Sequence, residues 1–561
     1  MSQMQVKVYR NVRFGLPPTG ARRFMAAESP DKNFDTSKDD PADCIAVPLD
    51  PLKGPACDAT FDVDPELTQG SLKQNEDCLF LDIYVPSNLA EYKAPLPVIV
   101  WFYGGAYVAG RKYSENYNGM LYSGVGAIRS AALHGNGVIF VVGNYRLGAL
   151  GWLAGSYIEA HGTPNAGLTD QRLLLEFVQN HIGDLNGDPD NVSAWGESAG
   201  GGSILHHLIA RNGDGSVRNP LFSKVVVQSP AYEWRWDRSG KLNDQYMKFA
   251  EQVLGYRDGN ITALRNAPIE KITKVNKEMA CDDYKNGFFP FGPSIDGKLI
   301  KEIPVYAFGK SGNYWKNLDS VISSHVALEA AVFTRNLNIT RKDQFTKLVG
   351  LSFPNSVVKY IEQSEIYFKG PSTNRTCVWD PNWKKCYTQV AQDSMFMANV
   401  RALYQAYKGK CYMMNYRWPS DDVAQHGTDL VLTFAYTNIK LPWLSIPWEL
   451  FGAVASIFQQ YFVSHAISSS PSEYKSPGVP DWTVTEPRTD KDALQDGVMV
   501  VKQGFGGPEK CFTVGKHADT DATKKKYSFW LDAVDLIIGQ NDSGRSEPTG
   551  SRETRGYRDE L

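Results

Sequence analysis

The chain has 561 residues, 42% of them hydrophobic and 22% charged, and its formal net charge is −3. That balance excludes the strongly basic surface of a nucleic-acid or anionic-membrane binder. The length exceeds the usual single core, which leaves several domains or one large domain with long insertions.

The amino end, Met1-Ser2-Gln3-Met4-Gln5-Val6-Lys7, carries no apolar leader. Residues 6–14 (VKVYRNVRF) read as an edge strand, and 26–75 as a polar loop rich in Asp and Pro. Residues 79–85 (LFLDIYV) alternate as a strand. Residues 97–103 (PVIVWFY) are continuously apolar, as a strand covered on both faces must be, and they run into Gly104-Gly105-Ala106-Tyr107. Another buried strand falls at 137–142. A helix is predicted over 169–182, with Thr169 or Asp170 as its cap. Further strands fall at 192–195, 224–229, 320–324 and 411–417. Strands alternating with helices at this rhythm predict an α/β fold: a large, mostly parallel twisted sheet flanked by helices. The stretch 441–467 is strongly apolar, but Pro442, Pro447, Glu449, Gln459 and Gln460 interrupt it. It is read as helices on the core or at a pocket mouth rather than as a transmembrane segment. No repeat and no clean linker divides the chain, so one domain over 1–561 is expected.

One stretch carries chemistry. The strand 192–195 is followed at once by Gly196-Glu197-Ser198-Ala199-Gly200 and then by a small-residue helix start. Strand, sharp turn, helix is the context that a G-x-S-x-G nucleophile elbow needs. The helix that follows aims its positive end at the serine, where negative charge develops during acyl transfer. A serine hydroxyl needs a neighbouring base, and a histidine oriented by a carboxylate supplies one. His426 lies in a loop beyond the strand 411–417, where groups gather in open α/β sheets. His325 also follows a strand, and for either residue the bland alternative is an ordinary loop histidine.

Eight cysteines (44, 57, 78, 281, 377, 386, 411 and 511) show no metal-like spacing. Cys57 with Cys78, and Cys377 with Cys386, would each close a short loop, as in secreted proteins; the alternative is buried free thiols. Five N-x-S/T sequons, at Asn191, Asn260, Asn338, Asn374 and Asn541, allow a glycoprotein, although several are expected by chance. The terminal Arg558-Asp559-Glu560-Leu561 resembles an ER-retention signal. Disulfides and a retrieval tail without a leader imply a trimmed start and a place in the secretory pathway, in the ER lumen or secreted.

Taken together, several long motifs resemble the type-B carboxylesterase/lipase family, the α/β-hydrolases that include cholinesterases and fungal lipases. They are VYRNVRFGLPPTGARRF (8–24), NEDCLFLDIYVP (75–86), PVIVWFYGGAYVAG (97–110), GNYRLGALGWL (143–153), NAGLTDQRLLLEFVQNHI (165–182), GDPDNVSAWGESAGGGS (187–203) and QHGTDL (425–430). The resemblance implies an α/β-hydrolase fold of the fungal secretory type with long loop and helix insertions. It implies Ser198 as nucleophile, His426 as base and Glu329 as acid, with Asp319 in reserve. Glu329 and Phe333 fit the family's spacing, but Ala330 stands where the family has glycine, and the turn before it is Val326-Ala327-Leu328 rather than polar. The oxyanion hole would be the amides of Gly105, Ala106 and Ala199. The resemblance also implies a Cys57–Cys78 disulfide, with Cys377–Cys386 as a private addition. The loop between Cys57 and Cys78 is short and polar, unlike the apolar flap of an interfacial lipase.

These residues predict a serine carboxylic-ester hydrolase acting through an acyl-enzyme on a small or medium-sized ester, without metal or cofactor and without a nucleic-acid partner. Two alternatives stand beside it. One is a specialised-metabolism enzyme using the triad for acyl transfer, elimination or cyclisation; the other is a catalytically silent adhesion relative.

Overall fold

The computed structural model describes residues 5–543, apart from 32–33, 48, 51–53, 56–73, 114–121, 258, 372–373, 436–446, 488–493 and 519–520. An eleven-stranded sheet forms its centre. In chain order the strands are β1 (Val6–Arg13), β2 (Phe80–Pro86), β3 (Leu96–Phe102), β4 (Ile139–Gly143), β5 (Gly187–Glu197), β6 (Lys224–Gln228), β7 (Ser320–Val326), β8 (Cys411–Tyr416), β9 (Glu486–Pro487), β10 (Leu494–Val501) and β11 (Phe512–Ala518). They lie in the order β1-β2-β4-β3-β5-β6-β7-β8-β10-β9, with β11 also paired to β10. The run from β4 to β10 is parallel, and the pairs at both edges are antiparallel.

The parallel strands are apolar on both faces because helices cover both. Val98, Ile99, Val100, Trp101 and Phe102 are all fully buried, as are Ile139 through Val142. The helices that position the site are α1 (Ala166–His181), α2 (Ala199–Ile209) and α3 (Trp448–Ser468). The start of α1 differs from the predicted cap. The helix begins at Ala166, and Asn165 in a left-handed conformation takes the cap position. Asp170 is instead buried one turn in, where it holds the guanidinium of Arg146 with two hydrogen bonds of 2.6 and 2.8 Å. Thr169 accepts from the amide of Ala27. Both short polar side chains serve tertiary partners, which outcompete local capping. The apolar stretch after residue 447 forms one long helix, α3, packed on the core through Phe451, Phe458 and Phe462. No helix among the described residues is long and apolar enough to cross a membrane.

The cysteine framework corrects the expected Cys57–Cys78 pairing. Cys78 is bonded to Cys44, across a Cα–Cα distance of 4.9 Å. Cys44 reaches it because Asp43 and Cys44 pair in a two-residue ladder with Gln74 and Asn75. A loop-length argument had no access to that ladder. Cys57 lies outside the described residues, as do most of the loop that follows it and the carboxy-terminal tetrapeptide. Cys377–Cys386 is present, Cys281 is also in a disulfide, and Cys411 and Cys511 are buried free thiols. The Cys44–Cys78 bond closes a loop with a sequence separation of 34 residues. By loop-closure entropy it stabilises the fold by about 4 kcal/mol. Cys44→Ser should therefore lower the urea midpoint clearly, and non-reducing peptide mapping should recover a Cys44–Cys78 peptide. A Cys57–Cys78 peptide would overturn the pairing.

Of the sequons, Asn191 accepts from Lys224 and is half-buried, and Asn260 caps the helix Ile261–Asn266 through its own side chain. Asn338 and Asn374 are exposed in loops.

Candidate active site

Three neighbouring central strands finish together at the carboxyl end of the parallel sheet. The register sets Glu197 of β5 beside Gln228 of β6, and Gln228 beside Ser324 of β7. Ser198 follows Glu197 at φ 54° and ψ −121°, a strained turn that lifts its side chain off the sheet before α2 begins at Ala199. The turn leaves no room for side chains around it. A Cβ on Gly200 would lie 1.9 Å from the carbonyl oxygen of Phe102, and one on Gly104 would lie 2.9 Å from the Cβ of Ser198. The serine is pinned by its own backbone, whose N–H donates to Gln228 O at 3.0 Å and whose carbonyl accepts from Ala231 N at 2.9 Å.

His426 stands over this turn. Its Nε2 lies 2.8 Å from Ser198 Oγ, and its Nδ1 lies 2.7 Å from Glu329 Oε2. Glu329 is fully buried just beyond the end of β7, and its Oε1 accepts from the amide of Val326 at 2.8 Å. The apolar turn Val326-Ala327-Leu328 thus supplies a main-chain donor where a polar side chain was expected. Ala330 replaces a family glycine without strain, because its backbone is right-handed, at φ −85° and ψ −3°. The loops that carry Glu329 and His426 are tied together directly: Leu328 and Gln425 form a parallel bridge, with Leu328 N donating to Ala424 O at 3.0 Å. Asp319 sits at the start of β7, at the opposite edge of the sheet. His325 bonds the carbonyl of Val326 through Nδ1. The structure brings Ser198, His426 and Glu329 together and leaves these two rivals elsewhere.

Gly105 and Ala106 both have positive φ, 118° and 55°, which turns the loop after β3 back over the elbow. Tyr107 anchors that loop by donating to Ala231 O at 2.9 Å. Among the described residues, none of the hydrogen bonds outside regular helices and strands uses the amides of Gly105, Ala106 or Ala199. Free amides beside the serine at a helix amino end can receive an oxyanion.

Two acidic residues at this site were not singled out from the sequence. Glu197 is buried, with Oε1 3.2 Å from His426 Nε2, and burial pushes its carboxyl up to about 8. The signal was an acidic residue at the buried carboxyl end of a parallel strand. Asp429, three residues past the histidine, accepts from Gln228 Nε2 at 2.7 Å and ties the base loop to β6. Burial, aided by the charge of Glu329, pushes Asp429 up to about 6. Burial by itself would lower the pKa of His426, but the charges of Glu197 and Glu329 and the bond to Glu329 outweigh it and raise the imidazole to about 9. The rings of Phe333 and Phe396 flank the imidazole at centroid distances of 5.2 and 4.9 Å.

The unprotonated imidazole is the form that can accept a proton, so the acid limb of kcat/KM belongs above the ordinary imidazole value of about 6.5. Glu197→Gln removes one of the charges that hold the proton on His426. The limb should then move down by about one pH unit. An unmoved limb would mean that Glu197 only fills space.

A family model described as the carboxylesterase family matches residues 1–498. A secreted lipase of Arthroderma benhamiae is 35% identical over 463 residues, covering 81% of this chain and 84% of that protein. The carboxylesterase patB of Aspergillus clavatus is 30% identical over 539 residues, covering 88% and 89%. Among solved structures, EstA of Aspergillus niger superposes with a TM-score of 0.71 at 20% identity over 95% of both chains. At that identity the likeness speaks for the fold, an α/β-hydrolase.

Proposed function

The chain belongs to the carboxylesterase family and is a carboxylic-ester hydrolase, and from that premise we propose that it works through Ser198, His426 and Glu329 on compact esters. The unbroken row Glu329–His426–Ser198, with contacts of 2.7 and 2.8 Å, carries the reading. His426 Nδ1–H donates to Glu329, which leaves Nε2 as the acceptor for the serine proton. Ser198 Oγ attacks the ester carbonyl carbon while its proton passes to Nε2. The oxyanion takes hydrogen bonds from the amides of Gly105, Ala106 and Ala199. His426 then gives the proton to the leaving alkoxide, which departs as the alcohol. Water attacks the acyl-enzyme, its proton goes to Nε2 and then to Ser198 Oγ, and the acid leaves. Glu197, 3.2 Å from Nε2, stabilises the imidazolium that forms between these steps.

Phe333 and Phe396 narrow the space beside the base, which favours small or medium-sized esters. The relative named a secreted lipase favours a second reading, long-chain esters. A chain-length series of p-nitrophenyl esters separates the two. The proposal expects kcat/KM to peak at short acyl chains, and a peak at long chains with activation by an interface would overturn it. Two disulfides and that secreted relative support a place in the secretory pathway.

A further inference from the structure

Behind the nucleophile helix lies a cavity that ester hydrolysis leaves unused. Its volume is about 360 Å³, inside the range of about 300–1,000 Å³ that small-molecule sites span. It opens at the far end of α2, beside His207, nine residues beyond Ser198. At the helical rise that is about 13 Å from the serine. Leu168, Leu173 and Leu299 give it an apolar wall.

Over the whole rim three acidic and three basic side chains balance, but around Arg172 and Arg218 they do not. Glu176 accepts from Arg172 Nε at 2.8 Å and from Arg218 at 3.2 Å, so one carboxylate serves two guanidiniums and one positive charge is left over. The arginine side chains retain 16% and 34% exposure, so they are partly shielded yet reachable. Burial pulls the pKa of Arg172 down, and the charge of Arg218 adds to that against the pull of Glu176. Lys298, whose Nζ donates to the carbonyl of Glu159 at 3.4 Å, brings a further cation to the rim. Glu159 holds Arg238, while Asp296 accepts from the neutral amides of Asn165, Lys298 and Ile300, so its charge offsets that of Lys298 and leaves the excess at Arg172 and Arg218.

Two guanidiniums sharing one carboxylate, above an apolar wall, fit one chemistry. We propose that this cavity is a second ligand site that takes a small amphiphilic carboxylate, its head on Arg172 and Arg218 and its chain on the leucines. The site is wired to the nucleophile helix. His207 Nε2–H donates to Gln171 Oε1 at 3.0 Å, Gln171 Nε2 donates to Ser203 Oγ at 3.0 Å, and Ser203 donates to Ala199 O at 2.9 Å. All three bonds run in one direction, from the cavity wall to the first residue of α2. A ligand that shifts His207 therefore shifts the helix end that faces the oxyanion.

Calorimetric titration of the full chain with decanoate tests the site whether or not the ester reading holds. Saturable binding is expected, retained in Ser198→Ala and weakened by about tenfold in Arg218→Gln, the loss of roughly one charge-assisted hydrogen bond. Lys298→Glu, an exposed change, should weaken it in the same direction, and decanol should bind much more weakly than decanoate. Absence of saturable binding, or equal affinity in wild type and both charge variants, would overturn the site. A kinetic arm, which does rest on the ester reading, tests the wiring. Decanoate should lower kcat in wild type and do so less in Arg218→Gln. Purely competitive inhibition, identical in both proteins, would overturn the link to α2 while leaving the calorimetric result to stand or fall separately.

Discussion

Replacing Ser198 with alanine should lower kcat for a p-nitrophenyl ester by about 10⁶-fold, the scale on which a triad that acts as one unit collapses. In the proposed reaction the hydroxyl is the atom that attacks. Glu197 Oε1, 3.2 Å from His426 Nε2, does not take its place. It is buried and raised to about 8, a poor nucleophile held by the field around it. The same variant should no longer be labelled by a fluorophosphonate probe that labels wild type. The fold should survive, because Ser198 Oγ has one hydrogen-bond partner, the imidazole, and the backbone at φ 54° is as open to alanine as to serine. Retained turnover, or labelling unchanged by the substitution, would remove Ser198 from the reaction.

Glu329→Gln should be the second most damaging change, lowering kcat by about 10⁴-fold, or about 5.5 kcal/mol of barrier. Geometry dictates the sign. Oε1 accepts from the amide of Val326, so a glutamine must keep its carbonyl oxygen there. Its NH₂ group then faces Nδ1 of His426, where Glu329 Oε2 stands at 2.7 Å. A donor in that place holds the imidazole in the tautomer with the proton on Nε2, which cannot receive the serine proton. Glu329→Asp, which keeps an acceptor but shortens the reach, should recover part of the loss. A fall of less than about tenfold in Glu329→Gln would show that another group orients the imidazole.

How much of this was legible in the sequence follows from how local each signal is. The elbow was readable because its strand, turn and helix are contiguous in the chain. His426 was placed only relative to a strand, and from the residues alone His325 stood level with it. Three-dimensional contact separates them, because His426 reaches Ser198 Oγ while His325 bonds the carbonyl of Val326. Glu329 looked doubtful because its turn is apolar and its following residue is alanine. In three dimensions neither departure displaces Glu329, since the donor is the amide of Val326 and the backbone of Ala330 is right-handed. The cap of α1 was misplaced because Asp170 answers to Arg146, a partner 24 residues away. Cys44 was overlooked for the same reason, since the two-residue ladder that carries it to Cys78 has no periodicity to read.

The bridge between Leu328 and Gln425 joins the two loops one residue before Glu329 and one before His426. It is made by main-chain atoms, so it is indifferent to which side chains occupy the turn. The spacing of acid and base is thereby insulated from the spelling of residues 326–328. An engineer could rewrite the half-buried positions 327 and 328 for solubility or for a new pocket wall and keep Glu329 and His426 in alignment, while Val326 stays apolar because it is buried. Proline is the change to avoid at 326 and 328, because it would delete the amide that holds Glu329 or the one that holds the two loops in step.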